Sequence, residues 1–141
     1  MANERPFALN GKGVATFTVN EAGIPISADV TSTSTATHLG LCTTVGRVNF
    51  TPANDPEHPG RLLSSGTGTI TAANGDTIQI EFSGVLDPPP AGSATAIDKP
   101  VFHFVGGTGR FANASGSANA VVIVNLATGA FEITMVGNID Y

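Results

Sequence analysis

The chain has 141 residues, of which 12% are charged and 41% hydrophobic, with a formal net charge of −5. That length is one ordinary domain, residues 1–141, able to bury a core without disulfides or metal, and the composition excludes a disordered chain. The basic residues Arg5, Lys12, Arg47, Arg61, Lys99 and Arg110 are scattered, which argues against nucleic acid as a partner, because phosphate-backbone binding needs clustered cations.

A single cysteine, Cys42, has no intrachain disulfide to make. No stretch approaches the roughly 20 apolar residues of a membrane-spanning helix. The start, Met1-Ala2-Asn3-Glu4-Arg5-Pro6, lacks the basic lead and apolar core of an export signal. As written the chain reads as cytoplasmic, although its Thr-, Ser-, Gly- and Asn-rich composition also suits a secreted protein whose signal has been removed. Asn49-Phe50-Thr51 and Asn113-Ala114-Ser115 match the glycosylation sequon, a tripeptide that chance supplies often.

In chain order, apolar and polar residues alternate with period two between breaks of Gly, Pro, Asn and Asp, the pattern of an antiparallel sheet. A first strand runs over 14–19 and a second over 24–38, where the Thr/Ser run suits strand backbone. A third spans 41–50 and ends in the Pro-rich loop 51–60. A fourth (62–71) meets a fifth (77–86) across Asn74-Gly75, the positive-φ pair that hairpins favour. After the stiff loop 87–92 come strands over 94–105, 117–125 and 130–141. No window has helical periodicity. Eight strands on short turns fit an all-β sandwich or an eight-stranded antiparallel up-and-down β-barrel. Closure is favoured, because it removes the edges that Thr/Val-rich strands otherwise expose.

Gly107-x-Gly109-x-x-Ala112 follows the apolar strand and satisfies the short form of a dinucleotide-binding fingerprint, with Glu132 about where a ribose-binding acid would be sought. That motif works only where its glycines open a helix onto the pyrophosphate. Here Asn113-Ala114-Ser115-Gly116-Ser117 and then Val121-Val122-Ile123-Val124 follow, so the segment reads as a turn between strands and no cofactor is expected.

Gly106-Gly107-Thr108-Gly109-Arg110-Phe111, with Ala114 and Gly116 after it, resembles the signature of dirigent proteins and their relatives in the allene oxide cyclase barrel superfamily. With Ala36-Thr37-His38-Leu39-Gly40 and Ala72-Ala73-Asn74-Gly75-Asp76, the chain is similar to small bacterial members of that group. The resemblance implies a calycin-like eight-stranded barrel, a homotrimer, and a central cavity that in the plant families shapes a reactive hydrophobic intermediate without a cofactor. Dirigent proteins continue Ala-Arg-Gly-Tyr, with the arginine among the cavity residues, whereas this chain has Ala114-Ser115-Gly116-Ser117. Dirigent chemistry is therefore not carried over. Arg110 matches only the basic position inside the turn, where a salt bridge or carbonyl contact at the barrel rim is expected.

The catalytic candidates are His38, His103, Glu81 and Glu132. His38 could act as acid or base or make a structural hydrogen bond beside a glycine turn. His103 faces opposite to Phe102 and Phe104, into a lumen if those rings point outward and into solvent if they form the core. Glu81 and Glu132 lie opposite apolar strand faces; either is a general acid if inside the barrel, and a solvated group if outside. His38 and Cys42 have the spacing to share a strand face, yet with His58 in a Pro-rich loop and no CxxC or HExxH pattern, no metal site is expected. No Gly-x-Ser-x-Gly elbow occurs.

Two functional classes remain. One is a barrel that binds a hydrophobic small molecule in its lumen, as a cofactor-free cyclase, isomerase or steering protein. The other is a non-catalytic ligand-binding or structural barrel, secreted or not.

Overall fold

The computed structural model describes residues 4–141; the first three residues of the leading segment, and what was read from them, lie outside the described residues. The strands are β1 (Glu4–Val19), β2 (Pro25–Ala36), β3 (Gly40–Pro52), β4 (Leu62–Thr71), β5 (Thr77–Asp87), β6 (Thr95–Asp98), β7 (Val101–Gly107), β8 (Ser115–Asn125) and β9 (Ala130–Asp140). Consecutive strands pair antiparallel except β6 and β7, each of which pairs with β5 and β8, and β9 returns to β1, closing a barrel. Inward and outward residues alternate along most of each strand. In β5, Ile78 and Ile80 are buried while Gln79 and Glu81 are exposed, so one face of each strand builds the core.

Nine strands make eight staves because β6 and β7 lie end to end between β5 and β8. Asp98 pairs with Leu86 and Val122, and three residues on, Val101 pairs with Ser83 and Asn119, so the register runs unbroken across Lys99-Pro100. Pro100 has no N–H to donate, which explains the interruption of a stave expected to run continuously over 94–105. Its carbonyl still accepts from Ala120 N–H at 3.0 Å.

β1 begins ten residues before the expected start at residue 14. Gly11 and Gly13 obscure its alternation, and both are inward positions where Ser34 and Phe131 occupy the space of a side chain. β2 stops at Ala36, and His38 lies in the following turn with φ of 69°. Cys42 is buried on β3, so His38 and Cys42 do not share a strand face.

The interior divides into two clusters. Phe7, Leu39, Ile78, Phe111 and Ile139 close one end, while Val48, Phe50, Leu62, Leu86 and Val124 pack toward the other. Burying each of these large side chains contributes about 1.5–3 kcal/mol. At the closed end Phe111 is 0% exposed, and its ring meets Tyr141 edge-on at 4.8 Å.

Candidate functional site

Between the two clusters the lumen keeps a cavity of about 110 Å³. It reaches from Leu9, Ile70 and Met135 near the middle to Phe17, Phe50 and Phe131 toward the end opposite Phe111. Glycines set its shape: at Gly66 the Phe82 ring fills the place of a Cβ. The lining is almost wholly apolar, with the hydroxyls of Ser32 and Thr44 among the exceptions.

Among the described residues, Asp98 is the one ionisable group lining this cavity. It is the last residue of β6, 8% exposed, and on the inward face that Ala96, Phe102 and Phe104 share. Opposite it, Gly84 has no side chain, and a Cβ there would stand 2.7 Å from Asp98 Oδ1. The carboxyl thus occupies a notch in β5. Oδ1 has no hydrogen-bond partner, and neither has the nearby Ser64 Oγ.

Burial pushes the Asp98 carboxyl above the usual carboxylate range, and the charge of Asp87 adds to this; the Ser64 hydroxyl and the Lys99 N–H act in the opposite direction and are outweighed. Ser64 lies close enough to favour the charged form without reaching hydrogen-bond geometry. An apolar chamber such as this can hold a compact ligand.

The residues nominated from sequence lie elsewhere. His38 donates from Nε2 to the Pro6 carbonyl at 2.8 Å and meets Tyr141 edge-on at 5.6 Å, the structural role weighed for it. Phe102 and Phe104 are core, so His103 is exposed on the outer surface. Glu81 is also outside, directly paired in register with His103 and, through Thr67, in line with Arg47. These groups share a polar outer groove of about 460 Å³. Arg47 is held there by Asp29 at 3.0 Å. Glu132 lies 4.0 Å from Lys12, both well exposed. The structure therefore brings Glu81 and His103 together, but outside the lumen.

The glycine segment caps the closed end. Thr108 bonds the Thr77 hydroxyl at 2.8 Å and accepts from its N–H at 3.1 Å, and Gly109–Phe111 form one 3-10 turn that tucks Phe111 inside. Arg110 makes both contacts expected of it, 3.4 Å from the Asp76 carboxylate and bonded to the His38 carbonyl at 2.5 Å. Ser115 is exposed and pairs with Asp140.

At the opposite end the Pro-rich loop over 53–61 is tied down by Arg61, which donates from Nε to Asp87 at 2.7 Å and lies 3.6 Å from Asp55. A hydrogen bond from His58 and one from the Glu57 N–H hold the Asp55 carboxyl below its usual range. Among the described residues no three His, Cys, Asp or Glu side chains are grouped to hold a metal, and no helix is long and apolar enough to cross a membrane. Comparison with family models, curated proteins and solved structures gives no match to this chain.

Proposed function

We propose that the barrel binds a compact apolar molecule in its lumen, as a member of the allene oxide cyclase barrel superfamily that it resembles. The observation that carries this reading is the apolar cavity of about 110 Å³ in the lumen. Drug-sized ligands occupy roughly 300–1,000 Å³, whereas a dry cavity of about 150 Å³ accepts benzene. The occupant is thus on the scale of one ring. A cyclase acting on a long flexible chain would need several times that volume, and His38, His103, Glu81 and Glu132 lie outside the space, so binding is favoured over such catalysis.

Self-association forms the second part of the proposal. Ile97, Val101, Val121, Ile123 and Val136 are exposed large apolar residues on the neighbouring staves β6–β7, β8 and β9, and a homotrimer through that face would cover them. A mass of 14.2 kDa in light scattering, the monomer value, overturns it.

Titration with toluene tests the lumen. Met135 lines the cavity, so its methyl resonance should shift saturably, and Val30→Phe, which fills the same space, should abolish the shift. An unmoved Met135 methyl at saturating toluene overturns the reading.

A further inference from the structure

Resting on the lumen reading, we propose that the natural occupant carries one neutral oxygen, a hydroxyl or a carbonyl, on its compact apolar frame, and that the hydroxyls of Ser32 and Thr44 bind it. Both residues line the cavity. They are direct partners in the β2–β3 register, on the inward face that Ala28, Ser34, Cys42 and Val48 share. Those four neighbours are buried, whereas Ser32 and Thr44 are only half-buried. An inward residue of a closed barrel owes such exposure to the lumen.

Glycine keeps the space beside the pair open. The next inward residue on β3 is Gly46, its register partner on β4 is Gly68, and both line the cavity without a side chain. Reach also separates the pair from the other polar groups of the core. Ser34 Oγ, Ser64 Oγ and Asp98 Oδ1 are buried atoms without a partner, and the backbone closes on them, Gly11 against Ser34 and Gly84 against Asp98. Among the described residues, no hydrogen bond to the protein engages either the Ser32 or the Thr44 hydroxyl.

The spacing of the pair selects the ligand group. Directly opposed residues of an antiparallel pair have Cβ atoms about 4.5–5.5 Å apart, and O–H···O bonds are about 2.7–2.8 Å long, so one ligand oxygen can meet both hydroxyls at once. Each hydroxyl can donate or accept. A ligand hydroxyl accepts from one and donates to the other; a carbonyl accepts from both. A hydrocarbon leaves both unmet, at a cost. An anion fares worse, because among the described residues no cation lines the cavity and a desolvated charge needs a partner.

The test compares toluene, phenol and benzaldehyde, single rings with no polar group, a hydroxyl and a carbonyl, by titration of the Met135 methyl and by calorimetry. A wholly apolar chamber disfavours the two oxygen compounds, since each gives up its hydrogen bonds to water on entering. Here at least one of them should bind the wild-type protein as tightly as toluene or more tightly, and the tighter identifies the group. In Ser32→Ala/Thr44→Val, which removes both hydroxyls at nearly constant volume, its affinity relative to toluene should fall about ten-fold or more. Toluene binding more tightly than both to the wild-type protein overturns the proposal while the lumen reading stands, and so does an unchanged ratio in the variant. The wild-type comparison needs no variant to fold. If none of the three moves Met135, the lumen reading fails and this proposal fails with it.

Discussion

The guanidinium of Arg110 donates to the backbone carbonyl of His38 at 2.5 Å across 72 residues of chain, and so joins the glycine turn to the β2–β3 turn. The same side chain lies 3.4 Å from Asp76 in the β4–β5 turn. One residue thereby staples three connections at the end of the barrel that Phe111 plugs. Both partners are part-exposed, so the ion pair itself contributes little, while the charge-assisted bond to a carbonyl contributes more. Arg110→Ala should cost about 1–2 kcal/mol. Arg110→Lys should recover only part of that, since one ammonium does not reproduce a forked contact. Thermal unfolding measures both, and an unchanged midpoint in Arg110→Ala would show that the staple is decorative.

Two glycines of the same turn are constrained in different ways. Gly107 cannot carry a side chain because its Cβ would stand 1.9 Å from the Thr77 carbonyl oxygen, while Gly109 has a φ of 61° and a carboxylate, Asp76, in the way. The first obstacle is backbone held in the β5–β7 ladder; the second is partly a side chain that can move. Gly107→Ala should therefore destabilise by roughly 2–4 kcal/mol and Gly109→Ala by less, about 1–2 kcal/mol. Denaturant midpoints in the reverse order would mean that the left-handed backbone, not the close approach, is the stricter demand.

Phe111 should be the most expensive single truncation in that segment. Its side chain is 0% exposed, packed on Tyr141 and under the Arg110 guanidinium, which lies 4.6 Å from the ring centre. Phe111→Ala removes the plug and leaves a hole that rigid strands cannot close, at a cost of about 3–5 kcal/mol. Chemical denaturation gives the number, and a loss under 1 kcal/mol would mean that the end of the barrel collapses around the gap.

Particular residues show how far the sequence was legible. The alternation of Ile78, Ile80 and Phe82 placed Glu81 opposite the core face, and strand boundaries at Leu62 and Thr71 came directly from turn chemistry. Whether Phe102 and Phe104 faced in or out depended on how the barrel closes, which no local pattern carries, and the side of His103 depended on that. Asp98 was missed for a related reason. Its neighbour Ile97 is the apolar residue and invites the opposite parity, yet Ile97 is exposed, and Pro100 interrupts the strand that would have linked Asp98 to Phe102 and Phe104. Carrying the Phe102 parity back across Pro100 was the available signal, and it required that the proline break pairing without shifting register. The Arg110–His38 bond joins segments too distant for any sequence period to connect.

Cys42 should behave as an inert reporter of unfolding. Its thiol is 2% exposed, donates to the Ser34 carbonyl at 3.6 Å, and is pushed above its usual pKa by burial, so little thiolate forms near neutral pH. A disulfide reagent should label the native protein no faster than it opens and should label it fully in denaturant. Rapid labelling under native conditions would mean that the β2–β3 region opens readily on its own.

The Asp98 carboxyl makes a pH dependence that is separable from every other group. Its native pKa is raised from 3.8, so between that value and the native one the folded state holds a proton that the unfolded chain has released. Stability from this group is fully present below 3.8 and is lost as pH rises through the raised native value. Asp55, whose pKa is lowered, contributes with the opposite sense, losing stability as pH falls, but it is the same in both proteins of a matched comparison. Asp98→Asn removes the titration and keeps the shape. The unfolding midpoint of the variant relative to wild type should therefore climb as pH rises from about 4 and level off once wild-type Asp98 is ionised. Parallel curves across the range would mean that Asp98 meets a partner when charged, and that burial does not raise its pKa.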